Sequence, residues 1–279
     1  MPGTLYLVST PIGNLEDITL RALRVLREVT LIAAEDTRRT AKLLNRHAIS
    51  TPSTSLHEHN ERQKLPSILV RLTGGASVAL VSDAGTPTIS DPGRHLVAAA
   101  IEHGIKVEPV PGASAIMTLL AASGLPTEPF TFLGFPPIRS NARIVWFDGI
   151  ANTSGTAVFF EAPHRIRRTL TDLAARLGDV PIVVGRELTK AHEELVRGPI
   201  SEALKRLAEP RGEITVAVAP RPSLEKVCEV IPDEQMLATE FGELTNIRGL
   251  TRRQAISELA RKYGLPSRVV YQTLEQIKK

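Results

Sequence analysis

Cysteine, aromatic residues and long apolar runs are scarce in this 279-residue sequence. The single cysteine, Cys228, excludes an intramolecular disulfide and any zinc site built from several cysteines. Aromatic residues make up only 4%, so base stacking on aromatic side chains is not an expected mode of recognition. No apolar run approaches the roughly 18 residues of a membrane span, and the first residues lack the pattern of a signal peptide. We therefore expect a cytoplasmic protein without a membrane partner.

The remaining composition is that of a globular protein with a basic carboxyl-terminal segment. The length suffices for two domains or one large one, and a content of 42% hydrophobic residues provides a sizeable core. The formal net charge is +4, and from Arg248 onward eight basic residues stand against two acidic ones. A segment of this charge is compatible with a nucleic-acid partner.

Short apolar runs typical of β-strands alternate with helical spacing through the first 122 residues. The run at residues 4–9, for example, precedes apolar residues at helical spacing between 18 and 28. This alternation predicts a mainly parallel sheet with helices on both faces. A linker at 123–129, which contains glycine and proline, leads to a second α/β unit.

The chain after residue 232 has helical periodicity throughout. Thr251, Gly264 and Pro266 are placed to begin or end helices, which is the punctuation of a helix-turn-helix unit. The predicted helical segments are 233–245, 251–262 and 266–277. The predicted domains are 1–122, 127–222 and 232–279.

The most informative segment is the loop at residues 82–93, with the sequence SDAGTPTISDPG. It joins a buried apolar run to a helix, so it lies at the carboxyl edge of a sheet, where open α/β folds bind ligands. Connecting loops usually have two to six residues, whereas this one is longer and carries six hydroxyl or carboxylate side chains. We therefore favour a ligand site over an ordinary connection. Asp91 before Pro92 predicts a helix cap followed by proline at the first helical position.

Two further strand exits carry charged clusters. Residues 35–39 read EDTRR, and Asp36 is placed to cap the helix that follows. Residues 161–165 read EAPHR, in which His164 offers an imidazole for proton transfer and Arg165 can clamp a phosphate. Taken singly, each cluster is also compatible with a solvated surface. The loop at 111–115 offers bare backbone N–H groups to an acidic ligand group, and no metal-ligand spacing stands out.

Five loops together, at 10–15, 35–40, 82–93, 111–115 and 161–165, resemble those of one family. The chain resembles the ribosomal RNA small-subunit methyltransferases that 2′-O-methylate a cytidine. They are a branch of the tetrapyrrole-methylase superfamily, the class III S-adenosylmethionine methyltransferases. The phrases specific to this branch are LVSTPIGNL at 7–15, AEDTR at 34–38 and SDAGTP at 82–87, whereas PGAS at 111–114 is shared across the superfamily. The resemblance covers residues 4–220 and, more loosely, the tail.

The resemblance implies two α/β domains of the tetrapyrrole-methylase type with the cofactor cleft between them, plus a small helical, helix-turn-helix-like appendage. It implies S-adenosyl-L-methionine as the cofactor, 16S ribosomal RNA in the small subunit or a late precursor as the partner, and a homodimer. Tetrapyrrole enzymes usually carry an aspartate at the position of Thr86, a role that Asp83 is a candidate to fill. The cofactor contacts implied by the family are Pro11, Ile12, Thr86, Ile89, Ser114, Ala115, Glu161, Gly212, Glu213 and Ile214.

Methylation of a ribose hydroxyl needs its proton removed and the reacting atoms held in line. The candidate bases at strand exits are Glu35, Asp36, Asp83, Glu161, His164 and Glu187. Our hypothesis is that Glu161 and His164 orient and deprotonate the hydroxyl, with Arg38 and Arg165 on flanking phosphates and Lys190 in support. The expected RNA contacts are Arg38, Arg39, Arg165, Arg252, Arg253 and Arg268. The alternatives are a tetrapyrrole methyltransferase on the same scaffold and a non-enzymatic RNA-binding module.

Overall fold

The computed structural model describes residues 2–207, 211–220, 234–247, 250–263, 265 and 267–276. The chain divides into two compact units, Met1–Pro220 and Arg221–Lys279.

The first half of the larger unit is an all-parallel sheet with helices on both faces. Its strands are β1 (Thr4–Val8), β2 (Leu31–Ala34), β3 (Ser53–Ser55), β4 (Val78–Val81) and β5 (Lys106–Val110). Its helices are α1 (Leu20–Glu28), α2 (Thr37–Arg46), α3 (Glu61–Thr73), α4 (Arg94–Glu102) and α5 (Ala115–Ser123), with a 3-10 turn at Leu15–Asp17. The strand order is β3-β2-β4-β1-β5. The prediction of a mainly parallel sheet is confirmed.

Alternation along the buried strands divides the core of this half into two layers. Val78 and Leu80 of β4 pack with α3 and α4, whereas Ala79 and Val81 pack with α1 and α2. Both faces are therefore covered, which explains why β2 and β4 are apolar along their whole length.

The helix after the 82–93 loop begins later than the sequence predicts. Helix α4 starts at Arg94, and its cap is Gly93 with φ 116°, so the predicted cap at Asp91 is wrong. A Cβ at residue 93 would lie 2.4 Å from Leu80 Cδ2, so only glycine fits this left-handed turn against β4. The chain therefore makes one more bend before the helix, and Asp91 stays in the loop.

The second half of the larger unit is built on a mixed sheet. Its strands are β6 (Phe130–Phe132), β7 (Thr156–Glu161), β8 (Pro181–Arg186), β9 (Glu194–Pro199) and β10 (Ile214–Val218). Its helices are α6 (Ser140–Ala151), α7 (Ile166–Leu177) and α8 (Ile200–Arg206). The order is β6-β7-β10-β8-β9, in which β6 pairs with β7 in parallel and the other pairs are antiparallel.

Helix α5 of the first half packs against the second sheet. Its residues Ile116, Leu119 and Leu120 share a buried cluster with Val183 of β8 and Ala217 of β10. The two halves therefore share a core within one compact unit, and the boundary that we placed near 123–129 stays a prediction.

The smaller unit is helical. It contains α9 (Glu234–Gly242), a π-helical turn (Glu243–Ile247), α10 (Arg252–Tyr263) and α11 (Ser267–Gln276), so the three predicted helices are confirmed. Leu237, Leu259 and Val270 form its core. The Thr251 N–H donates to Gln254 Oε1 at 3.0 Å, as in one half of a capping box, while Gly264 and Pro266 lie outside the described residues. In the part of the chain that the structure describes, every helix is too short or too polar to cross a bilayer.

Candidate cofactor-binding cleft

A cleft of about 650 Å³ lies between the carboxyl edge of the first sheet and the second sheet. It collects side chains from loops that are far apart in the sequence, as the family resemblance implied. The predicted site residues that line it are Ile12, Glu35, Arg39, Asp83, Thr86, Ile89, Ser114, Ala115, Glu161, Gly212, Glu213 and Ile214. Pro11 is buried and lies outside this lining.

The floor of the cleft is held by hydrogen bonds between the loops at 10–15 and 82–93. Thr10 and Gly85 exchange two backbone hydrogen bonds, of 2.9 and 3.0 Å, and Thr10 Oγ1 donates to the Ser82 carbonyl at 3.1 Å. Thr88 and Ser90 have φ values of 73° and 65°, which is uncommon for residues other than glycine. Strain of this kind persists where the surroundings fix the backbone, and it is frequent at functional sites.

Three carboxylates, Glu35, Asp83 and Asp91, form one wall of the cleft. Asp83 Oδ1 accepts from the Asp36 N–H at 3.0 Å, and Oδ2 lies 3.3 Å from Arg39 Nη1. The Asp83 N–H donates to Glu35 Oε2 at 3.2 Å. Burial raises the pKa of Glu35, and the Asp83 charge raises it further, against the hydrogen bond from Asp83. Burial and the charge of Glu35 raise the pKa of Asp91 to about 7.

The opposite wall is aromatic. Four of the seven phenylalanines line the cleft: Phe130, Phe132, Phe135 and Phe160. The ring centroid of Phe160 lies 4.9 Å from that of Phe132 and 5.5 Å from that of Phe135, whose side chain is 54% exposed. The low aromatic content of the whole chain concealed this local concentration. The signal was present in the run FTFLGF at 130–135.

Glu161 is buried and its carboxylate is fully engaged. Oε2 accepts from Thr169 Oγ1 at 2.5 Å, and Oε1 accepts from the Ala162 N–H at 2.8 Å and lies 3.5 Å from Arg165 Nε. Thr169 Oγ1 in turn accepts from Arg143 Nη2 at 2.7 Å. This arrangement is that of a structural carboxylate, because both oxygens already accept hydrogen bonds from within the protein.

The other two candidates in the 161–165 loop, His164 and Arg165, do not line the cleft. The His164 side chain is exposed and does not line the cleft. Arg165 Nη2 donates to the Pro136 carbonyl at 2.7 Å, so its guanidinium holds a neighbouring loop. The predicted pairing of Glu161 with His164 on one substrate hydroxyl therefore does not match their placement.

Lys190 lies at a second concavity, lined by residues 13–16, 46–47 and 189–191. Its Nζ donates to Glu187 Oε1 at 2.8 Å and to Glu213 Oε2 at 3.1 Å. Burial opposes the charge, but these hydrogen bonds prevail and raise the pKa of Lys190. They also lower the pKa of Glu187 against the effect of burial. Both groups therefore stay charged at neutral pH.

The predicted RNA-binding arginines fall into two groups. Arg38 is 89% exposed and pairs with Asp36, the confirmed cap of α2, while Arg39 lies at the cleft. In the smaller unit, Arg252, Arg253 and Arg268 line one groove with Tyr271, over whose ring the Arg252 guanidinium lies at 5.4 Å. Arg252 also pairs with Glu275. Among the described residues, no group of acidic, histidine or cysteine side chains is arranged to hold a metal ion.

Comparison with known proteins assigns the chain to a family. Residues 4–204 match the family model of tetrapyrrole (corrin/porphyrin) methylases. The chain belongs to the tetrapyrrole methylase family. Among the relatives of this tetrapyrrole methylase are two proteins named ribosomal RNA small subunit methyltransferase I, each 45% identical to it. The Halalkalibacterium halodurans protein aligns over 98% of this chain and 95% of its own length, and the Synechocystis protein over 97% and 96%.

Solved structures share the fold of this tetrapyrrole methylase. A diphthine synthase superposes with a TM-score of 0.64 at 16% identity, over 78% of this chain and 90% of its own. A uroporphyrin-III C-methyltransferase from Thermus thermophilus, complexed with S-adenosyl homocysteine, superposes with a TM-score of 0.55 at 19% identity, over 78% and 97%. The family and the fold predicted from the sequence motifs are thereby confirmed.

Proposed function

We propose that the chain is an S-adenosylmethionine-dependent methyltransferase that acts on the 2′-hydroxyl of a cytidine in small-subunit (16S) ribosomal RNA. Relatives 45% identical over nearly their full length carry the name of a small-subunit ribosomal RNA methyltransferase. The observation that carries the proposal is the cleft, which is lined by the loops whose phrases are specific to that branch.

The lining of the cleft suits the cofactor. Apolar side chains on both sides, Ile12 and Ile89 on one and Phe132 on the other, offer a surface for an adenine ring. Helix α5 begins at Ala115, and the Met117 N–H donates to Ser114 Oγ, so the N–H groups of Ala115 and Ile116 are those available to a carboxylate. The Glu35 and Asp83 carboxylates complement positive charge on a sulfonium or an ammonium group.

The chain's contribution to the reaction is positioning, exclusion of water and removal of a proton. When bound, the cofactor supplies a methyl group activated by a positively charged sulfur. The aromatic wall keeps water from the reacting atoms, and the braced 82–93 loop holds its polar side chains in place. We assign Arg38 and Arg39 to phosphates that flank the target ribose, because both are exposed beside or at the cleft.

The arginine groove of the smaller unit, formed by Arg252, Arg253 and Arg268, is our second RNA contact. Three guanidinium groups around one concavity suit phosphate oxygens, and Tyr271 adds a ring beside them. The low aromatic content elsewhere argues against recognition of a long single-stranded RNA by base stacking. We therefore propose that the substrate is folded RNA within the small subunit or a late precursor.

We further propose that the protein is cytoplasmic, where its RNA partner is, and that it is a homodimer. The family resemblance supports the dimer. In addition, Ile138, Ile144 and Val145 are 84%, 45% and 70% exposed around the start of α6, which leaves an apolar surface on the larger unit.

The proposal is tested by mass spectrometry of ribosomal RNA nucleosides from cells with and without the gene. Loss of one 2′-O-methylcytidine from small-subunit RNA, restored by the gene, is the expected result. Unchanged RNA together with a changed porphyrinoid pool would support the tetrapyrrole enzyme instead. Unchanged RNA and porphyrinoids, with RNA binding retained, would support the non-enzymatic binding module.

A further inference from the structure

The base that accepts the hydroxyl proton must line the cleft and must have an oxygen or nitrogen that no other group already engages. Glu161 lines the cleft, but both of its oxygens already accept hydrogen bonds. Both Asp83 oxygens are engaged as well, by the Asp36 N–H and by Arg39. His164 lies outside the lining, and Lys190 is held in its charged form. Asp36 and Glu187 also lie outside the lining, which leaves Glu35 among the sequence candidates, and its Oε2 accepts from the Asp83 N–H at 3.2 Å. The pair proposed from the sequence, Glu161 with His164, therefore lacks a suitable group.

Asp91 meets both requirements. It lines the cleft on the loop whose backbone is fixed by the Thr10–Gly85 pairing and by the left-handed Ser90 beside it. The later start of α4 leaves its carboxylate unused as a helix cap. Ser82 Oγ donates to the Ala84 and Gly85 carbonyls, at 3.5 and 3.4 Å, so the Asp91 oxygens are left able to accept a proton.

Its charged surroundings suit a proton acceptor. The carboxylates of Glu35 and Asp83 face the same cavity, and the other charged side chains in the lining are Arg39, Glu161 and Glu213. Burial is the largest cause that raises the pKa of Asp91. With the charges of Glu35 and Asp83, it raises this pKa to about 7, against a lowering effect of Ser82. A general base works best when its pKa lies near the working pH.

We propose that Asp91 accepts the proton of the RNA 2′-hydroxyl during methyl transfer, an inference that rests on the proposed function. A bond forms between the ribose 2′-oxygen and the methyl carbon while the bond between that carbon and sulfur breaks. The electron pair of the broken bond stays on sulfur, and the hydroxyl proton moves to an Asp91 oxygen. Glu35 is assigned a positioning role, because its charge raises the proton affinity of Asp91. Loss of the rate itself in Glu35→Gln, without a shift of its pH profile, would make Glu35 the base instead.

The test compares Asp91→Asn with the parent and with Glu102→Gln, which removes one charge from the exposed far end of α4. Single-turnover methyl transfer to small subunits lacking the modification should fall by roughly 10²–10⁴-fold in Asp91→Asn. Glu102→Gln should keep the parental rate. Affinity for S-adenosylhomocysteine, measured by calorimetry, should be unchanged in both variants.

The pH dependence supplies two further readouts. The parental rate should rise with pH through an apparent pKa of about 7, and Glu35→Gln should move this limb to lower pH by removing a neighbouring negative charge. Because the folded pKa exceeds the unfolded value near 4, the contribution of Asp91 to stability is lost as pH rises from about 4 to about 7. The stability of the parent relative to Asp91→Asn should therefore fall over that range.

Parental rates in Asp91→Asn would overturn the inference, and so would a loss of cofactor affinity equal to the loss of rate, which would make Asp91 a cofactor anchor. A stability difference that does not vary with pH would also count against it. If the parent itself methylates no ribosomal RNA, the proposed function fails and takes the inference with it. An active parent with an equally active Asp91→Asn variant defeats the inference alone.

Discussion

Replacing Glu161 with glutamine is expected to destabilise the protein while sparing methyl transfer. The Glu161 carboxylate is the centre of a buried network that joins β7 to α6 and α7. It accepts from Thr169 Oγ1 and from the Ala162 N–H, and Thr169 accepts from Arg143 Nη2, whose Nε lies 2.9 Å from Asp172. Thr169 is fully buried and Arg143 is 7% exposed, so water cannot replace a lost partner.

The expected magnitudes follow from which groups lose partners. In Glu161→Gln the amide oxygen still accepts one hydrogen bond, but the NH₂ group faces a donor, which costs roughly 1–3 kcal/mol of the free energy of unfolding. Glu161→Ala also removes the charge beside Arg165 and should cost roughly 3–5 kcal/mol. Thr169→Val keeps the shape of the side chain but leaves the Arg143 guanidinium and the Glu161 carboxylate without their hydrogen-bond partner, which should lower the free energy of unfolding by roughly 1–3 kcal/mol.

Tryptophan fluorescence during urea unfolding is a suitable assay, because the only tryptophan, Trp146, belongs to the same core. Its ring centroid lies 5.1 Å from that of Phe159 on β7. Glu202→Gln, on the exposed face of α8, is the matched control and should change stability by less than about 0.5 kcal/mol. If Glu161→Gln instead unfolds like the parent but loses methyl transfer by a factor of about 100 or more, Glu161 is the base and the structural assignment is wrong.

Two other predictions concern the partners. Replacing Arg252, Arg253 and Arg268 by alanine should weaken RNA binding. The slope of the logarithm of the RNA-binding constant against the logarithm of the salt concentration should become shallower by roughly 0.7 per lost phosphate contact, while affinity for S-adenosylhomocysteine stays unchanged. A slope equal to that of the parent would exclude the groove as an RNA contact. Replacing Ile144 and Val145 by aspartate should shift the sedimenting species from two chains to one, and a parental sedimentation coefficient would show that this apolar surface is not the dimer contact.

The sequence predicted the first sheet and its loops well, because local rules decide them. All five strands of that sheet are parallel, so their carboxyl ends meet at one edge and the residues that follow them converge. This is why Ile12 and Ser114, which the family resemblance implied, lie in one site with Glu35 and Asp83, which the strand exits predicted. The cap of α2 by Asp36 is equally local, as its side chain accepts from the Arg38 N–H two residues on.

Packing between distant segments decided what the sequence did not reveal. The cap at Asp91 was wrong because Gly93 must fit against Leu80, a contact with the preceding strand. Glu161 could not be recognised as fully engaged, because its partner Thr169 lies on α7 and depends in turn on Arg143 of α6. Asp91 was set aside as a helix cap, and so it was missing from the candidate bases.

The second sheet shows why the family resemblance was needed for half of the site. Strand β10 runs antiparallel to both β7 and β8, so Ile214 at its start lies opposite Glu161 and Arg186 at their ends. The rule that ligands meet the carboxyl ends of strands would have pointed to the other end of β10, near residue 219. Gly212 and Glu213 line the cleft because the order β7-β10-β8 reverses the middle strand. That reversal is a property of the topology, so residue patterns alone carry no signal for it.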